Sequence, residues 1–193
     1  PGWSYGEVLP YFRRCESYSG GEDAWRGGDG PVRTMAYGMR LPLNRAFVEA
    51  GIQAGLGATQ DINGFQQESF GPFDMNIDHG VRASTAHAYL APARGRPNLT
   101  VRTGVPALGL VLDDLRARGV RIATPGGQET VTAEREVILS ASAFATPQLL
   151  MLSGIEPADH LRDQGIAVVH DLPGVGGNLQ DHLEVHLQWG ADM

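Results

Sequence analysis

Residues 136–156 read EVILSASAFATPQLLMLSGIE. The apolar run 137–139 predicts a strand, and the small residues 140–145 predict a tight turn. Thr146-Pro147 predicts the opening of a helix, because Pro at the first helical position gives up an N–H that has no intrahelical partner. A helix N-terminus facing a turn of small residues suits phosphate or ribose oxygens, since a ligand can approach the backbone closely. An ordinary buried strand-to-helix connection has the same pattern, so this stretch alone leaves both readings open.

The 193 residues are enough for one ordinary domain or parts of two. The chain opens on Pro1 without an apolar leader, which points to a piece of something longer. No run approaches the ~20 apolar residues that a membrane-spanning helix needs. A net charge of -7 with scattered Arg argues against nucleic-acid binding through a basic face and favours a small-molecule partner. The single cysteine, Cys15, excludes an internal disulfide and any multi-cysteine metal site. Its place in a helical pattern suggests packing. With 26 Gly and 12 Pro, about one residue in five punctuates the chain, against roughly 12 % in ordinary domains.

Outward from the central stretch, Ser4 and Glu7 have capping-box spacing ahead of one helix, or two short ones meeting at Pro10. Residues 19–31 form a loop that Trp25 anchors. Residues 44–54 predict a helix stopped by Gly55. Residues 61–74 form a long loop with an Asn63-Gly64 turn and three Phe, too aromatic for disorder. Ser84 caps a short helix ended by Pro92, with Arg82 just ahead of it. Four short strands follow, at 99–103, 108–114, 119–124 and 129–133, as a meander. Pro157 starts a helix through Arg162, and 166–172 reads as a strand. From Asp181 the polarity alternates, which places His182, Glu184, His186 and Gln188 on one strand face, with Leu183, Val185 and Leu187 on the other. His182, Glu184 and His186 could in principle meet a zinc ion, but a plain polar face is far commoner.

Ser142-Ala143, Thr146-Pro147, Leu149-Leu150 and Ser153-Gly154-Ile155 match, in order and spacing, the second signature of the glucose-methanol-choline (GMC) oxidoreductases. GGDGPV, INGFQQESFGP, RASTAHAYL, NLTVRTG and LPGVGGNLQDHLE resemble further family segments in family order, with QQESFGPFD and NLQDHLEVHLQ similar to the choline-dehydrogenase-type branch. The resemblance covers essentially the whole chain. It implies an α/β fold, α+β overall: part of a Rossmann-like FAD-binding domain with a β-meander, plus part of an antiparallel-sheet substrate domain. Residues 1–97 would carry part of the substrate domain and loops, 98–182 part of the FAD domain, and 183–193 the start of the return.

The resemblance further implies a flavoenzyme that oxidises a small-molecule alcohol, with choline a candidate, by hydride transfer to FAD. The family's GxGxxG fingerprint does not occur here, and its catalytic His would lie beyond Met193, so no catalytic residue is expected within the chain. Ala107, Ala141, Ser142, Asn178, Gln180, Asp181 and His182 are the implied cofactor-binding positions, and no metal is implied. Ser142 stands where the family usually has Gly, which matters if that position needs positive φ. Glu156 replaces the Gly that normally ends the signature, and Gly177 replaces a usual Glu. A cytoplasmic enzyme, with peripheral membrane association open to the full-length protein, fits these implications. A non-catalytic, truncated or decayed flavin-binding module is the alternative.

Overall fold

The computed structural model describes residues 2–186, 188 and 190. The chain divides into two compact units, Pro1–Val101 and Arg102–Met193, and each mixes helix and strand.

The first unit opens with helix α1, Tyr5–Cys15. Its first turn is closed by Glu7, whose carboxylate accepts from the Ser4 N–H at 3.0 Å and from Ser4 Oγ at 2.6 Å, as the sequence spacing anticipates. Pro10 sits inside α1, so this is one helix and not two. β1 (Glu16–Tyr18) runs parallel to β2 (Val32–Ala36), and β3 (Asp74–Met75) pairs antiparallel with β2. Helix α2, Pro42–Gln53, starts on a Pro and is stopped at Gly55, whose φ of 83° only glycine adopts freely. β4 (Ile77–Asp78) and β5 (Val81–Arg82) form a hairpin around His79-Gly80, both with positive φ, as a tight two-residue turn requires. A π-helical turn, Ala86–Leu90, then runs into α3, Ala91–Ala93.

The second unit is built on an antiparallel meander, β6 (Ala107–Asp113), β7 (Arg116–Thr124) and β8 (Gly127–Thr132). Helix α4, Ser142–Met151, packs on β6. β9 (Ile155–Glu156) and β10 (His170–Asp171) are parallel, with α5 (Ala158–Asp163) between them. The buried centre consists of Ile122 from β7, Leu149 from α4 and Leu161 from α5, with Ser153 and Glu156 enclosed beside them.

Several local expectations are corrected. Residues 137–139 form no strand, and Ile138 is 76 % exposed. Apolar character creates the tendency to extend, but a strand exists only where a neighbour accepts its backbone hydrogen bonds, and among the described residues none lies alongside. The same reason applies to 99–103, and it shortens 166–172 to the pair His170–Asp171. The described residues of 181–188 carry no strand either, so the alternating face does not form there; Leu187 lies outside the described residues. Helix α4 opens at Ser142, four residues before Thr146, and Pro147 is inside it. Thr146 Oγ1 instead accepts the Ala141 N–H at 3.0 Å, fastening the turn before the helix. Pro92 likewise lies within α3 and does not end it. Cys15, at the end of α1, is exposed and not part of the buried core.

Candidate functional site

The positions implied by the resemblance all fall in the second unit, in three local settings. Ala107 opens β6, an edge strand of the meander, so its outer backbone groups lack sheet partners among the described residues. Ala141 is the N-cap of α4 and Ser142 its first residue. Ser142 has φ 76°, the left-handed region that favours glycine. Glycine would adopt this conformation freely, whereas a side chain at the position is strained. The first-turn N–H groups of α4 have no side-chain cap, which leaves a positive helix end beside exposed small residues.

The third setting is the irregular segment after β10. Asn178 also has positive φ, 56°, which Asn tolerates better than most residues. Its Oδ1 accepts from Gln180 Nε2 at 3.2 Å, and Asp181 Oδ1 accepts the His182 N–H at 2.8 Å. All four side chains are exposed. These bonds are local, so they shape the loop without drawing it to Ala107 or to Ser142. His186 Nε2 lies 3.5 Å from Glu184 Oε2, both exposed, and among the described residues no group of three or more acids, His or Cys is arranged to hold a metal.

What organises this unit is the signature itself. Ser153 Oγ donates to the Leu149 carbonyl at 2.6 Å and accepts the Leu110 N–H at 2.8 Å. One hydroxyl thereby ties the end of α4 to β6. Gly154, with φ 80°, lets the Ala167 carbonyl come so close that a side chain would meet it at 2.5 Å, and its own carbonyl accepts from Val169 and His170. Glu156 is only 4 % exposed, and its carboxylate pairs with His160 Nδ1 at 2.6 Å. The His160 partner offsets the desolvation of a buried acid.

A second cluster, absent from the sequence reading, lies in the first unit. Arg26 is 3 % exposed and holds three carboxylates: Glu16 through Nε and Nη2 at 3.0 and 2.7 Å, Asp61 at 2.7 Å and Asp74 at 2.8 Å. Its guanidinium carbon stands 3.7 Å from the Tyr18 ring centre. Burial opposes the charge, but hydrogen bonds to Glu16 and Asp74 outweigh it and hold the group protonated above its ordinary range. Gly27 and Gly30 signal only a loop; a buried Arg among loop glycines has no sequence mark. In the same unit, Asp78 is held by His87, His79 and Arg33 at 3.1, 2.7 and 3.1 Å. The His87 hydrogen bond, reinforced by His79 and Arg33, keeps the Asp78 carboxyl below the usual carboxylate range despite its partial enclosure.

Comparison with known proteins settles the family. A family model described as GMC oxidoreductase matches residues 1–184. The chain belongs to the GMC oxidoreductases. An oxygen-dependent choline dehydrogenase of Photobacterium profundum is 56 % identical over 192 residues, covering 98 % of this chain and 34 % of that protein. One from Rhizobium johnstonii is 54 % identical over 187 residues, covering 97 % and 34 %. Among solved structures, an FAD-dependent oxidoreductase from Chaetomium thermophilum superposes with a TM-score of 0.86 at 28 % identity, over 94 % of this chain and 34 % of that one. A pyridoxine 4-oxidase gives 0.77 at 34 % identity, over 89 % and 34 %. The GMC chain therefore spans about a third of the length of the relatives it matches.

Proposed function

We propose that this GMC chain is part of an FAD-dependent enzyme that oxidises an alcohol to its aldehyde, with choline the leading candidate. The observation that carries this reading is the family match over residues 1–184 together with identities above one half to oxygen-dependent choline dehydrogenases. When bound, the flavin supplies the acceptor for the two electrons of the alcohol.

The residues of this chain would do the holding. The uncapped N-terminus of α4 at Ala141 and Ser142 offers backbone N–H groups and a positive helix end, which suits the anionic diphosphate of the cofactor. The outer edge of β6 at Ala107 offers backbone hydrogen bonds to a planar base. Asn178, Gln180, Asp181 and His182 supply exposed polar groups from the following loop. We place these roles in the second unit, as part of the FAD domain, with the first unit contributing to the substrate domain. No residue of the chain is assigned the proton-accepting role. A cytoplasmic setting, with peripheral membrane contact open to the full-length enzyme, belongs to the same proposal; no described helix is long and apolar enough to cross a membrane.

A second reading, a flavin-binding module without activity, is favoured by Ser142, whose side chain occupies a left-handed position beside the proposed cofactor edge. Titration of the purified protein with FAD, followed by flavin fluorescence, separates the readings. Saturable binding with bleaching on addition of choline supports the enzyme; saturable binding that no alcohol bleaches supports the module; no binding overturns the module and the cofactor-holding roles proposed for these residues.

A further inference from the structure

We propose that the first unit carries an accessory site for a small alkylated ammonium ion, in the concavity between Trp25 and the loop that bears Phe65 and Glu68. The concavity has a volume of about 430 Å³, room for a ligand of several heavy atoms. Its walls are aromatic and acidic: Tyr5, Trp25 and Phe65 supply ring surface, Gln66 and Gln67 supply amides, and Glu68 supplies the one charged side chain among the described residues that line it.

The walls are built and not merely adjacent. Asp23 Oδ1 accepts the N–H groups of Trp25 and Arg26 at 2.7 and 2.8 Å, fixing the turn that presents the indole. Arg26 then binds Asp61 at 2.7 Å, and Asp61 accepts the Asn63 N–H through its side chain and the Gly64 N–H through its carbonyl. Gly64 is buried, and a side chain there would meet Asp61 Oδ2 at 3.0 Å. The opposite wall is thus fastened at its first residue to the same ionic cluster that fixes Trp25. Trp25 and Phe65 also touch, with ring centres 5.5 Å apart and planes tilted by 54°.

Charge and ring surface together select the ligand class. The cluster behind the wall sets three carboxylates against one guanidinium, and Glu68 adds a fourth acid, so the site attracts cations and repels anions. A metal ion would need several oxygens arranged around one point, which the described residues do not provide. A tetraalkylammonium sheds its water cheaply and presents a methyl shell to aromatic faces, which attract it through their negative quadrupole. The site uses none of the residues proposed above to hold the flavin, so it does not depend on that reading.

The test titrates tetramethylammonium chloride into the full 193-residue chain, labelled with nitrogen-15. The Trp25 indole and the amides of residues 64–68 are followed, with sodium chloride and neopentyl alcohol as matched salt and neutral-shape controls. Saturable shifts confined to these groups are expected with tetramethylammonium, with binding at least about fivefold weaker to the neutral alcohol. Glu68→Gln, an exposed change that leaves the fold intact, should weaken binding severalfold, and Trp25→Ala should abolish the saturable shift. Equal response to sodium chloride, equal affinity for the neutral control, or unchanged affinity in Glu68→Gln would each overturn the proposal.

Discussion

Arg26 Nη1 donates to Asp61 Oδ1 at 2.7 Å across 35 residues of sequence. The same nitrogen reaches Asp74 Oδ2 at 2.8 Å, so one buried cation joins the glycine-rich loop, the long aromatic loop and β3. A buried cation is tolerated only when fully paired, and here each of its hydrogen-bonding edges meets an acid. Arg26→Met leaves Glu16, Asp61 and Asp74 facing one another without a counter-charge. We expect it to cost about 3–5 kcal/mol, read as a lower urea midpoint. Arg26→Lys keeps the charge but loses the two-pronged grip on Glu16, and should fall between the two. An unchanged midpoint for Arg26→Met would remove the cluster as the organiser of this unit.

Ser153 supplies a second linkage, between α4 and β6. In Ser153→Ala the Leu110 N–H loses its acceptor, with an expected loss of about 1–3 kcal/mol. Hydrogen exchange localises the effect: protection should fall at Leu110 and its neighbours on β6 more than on β8. A uniform loss across the meander would point to a different cause.

Ser142 makes the opposite prediction. Its φ of 76° strains any residue with a Cβ, so Ser142→Gly should stabilise the chain by roughly 1 kcal/mol, seen as a melting temperature raised by a few degrees. Ser142→Val, β-branched at the same φ, should lower it. If the FAD reading is right, the Gly variant should also bind FAD more tightly, since both the conformation and the approach to the backbone improve. A Gly variant that melts no higher would show that the strain is not stored there.

Asp78 governs an acid-side effect. Because its carboxyl is held below the ordinary value by His87, and further by His79 and Arg33, its contribution is fully present above the unfolded-state value. It is lost as pH falls through the lower, folded value. Melting curves of the protein and of Asp78→Asn between neutral and strongly acidic pH should therefore converge at the acid end and separate above it. Parallel curves over the whole range would show that Asp78 takes no part.

Much of the local structure was legible in the residues themselves. Ser4 with Glu7 at a helix start and Gly55 at a helix stop each act within a few positions, so adjacent residues suffice to set them. The signature at 136–156 was legible as a family mark, and GMC membership rests on it and on its companions over residues 1–184. The same letters did not reveal why Ser153 and Gly154 matter, because their partners, Leu110 and Ala167, are distant in sequence or meet them only after the chain turns back.

The strands at 99–103 and 137–139 show the limit most clearly. Their apolar residues favour extension, yet a strand is a relation between two chain segments, and neither has a partner among the described residues. The sequence by itself determined the family, the Ser4–Glu7 cap of α1 and the Gly55 stop of α2, because these follow from capping oxygens and allowed φ at neighbouring positions. Only the tertiary structure decided the pairing of strands, the left-handed state of Ser142 and the burial of Arg26 among three acids, because each depends on backbone or charge that approaches from far along the chain.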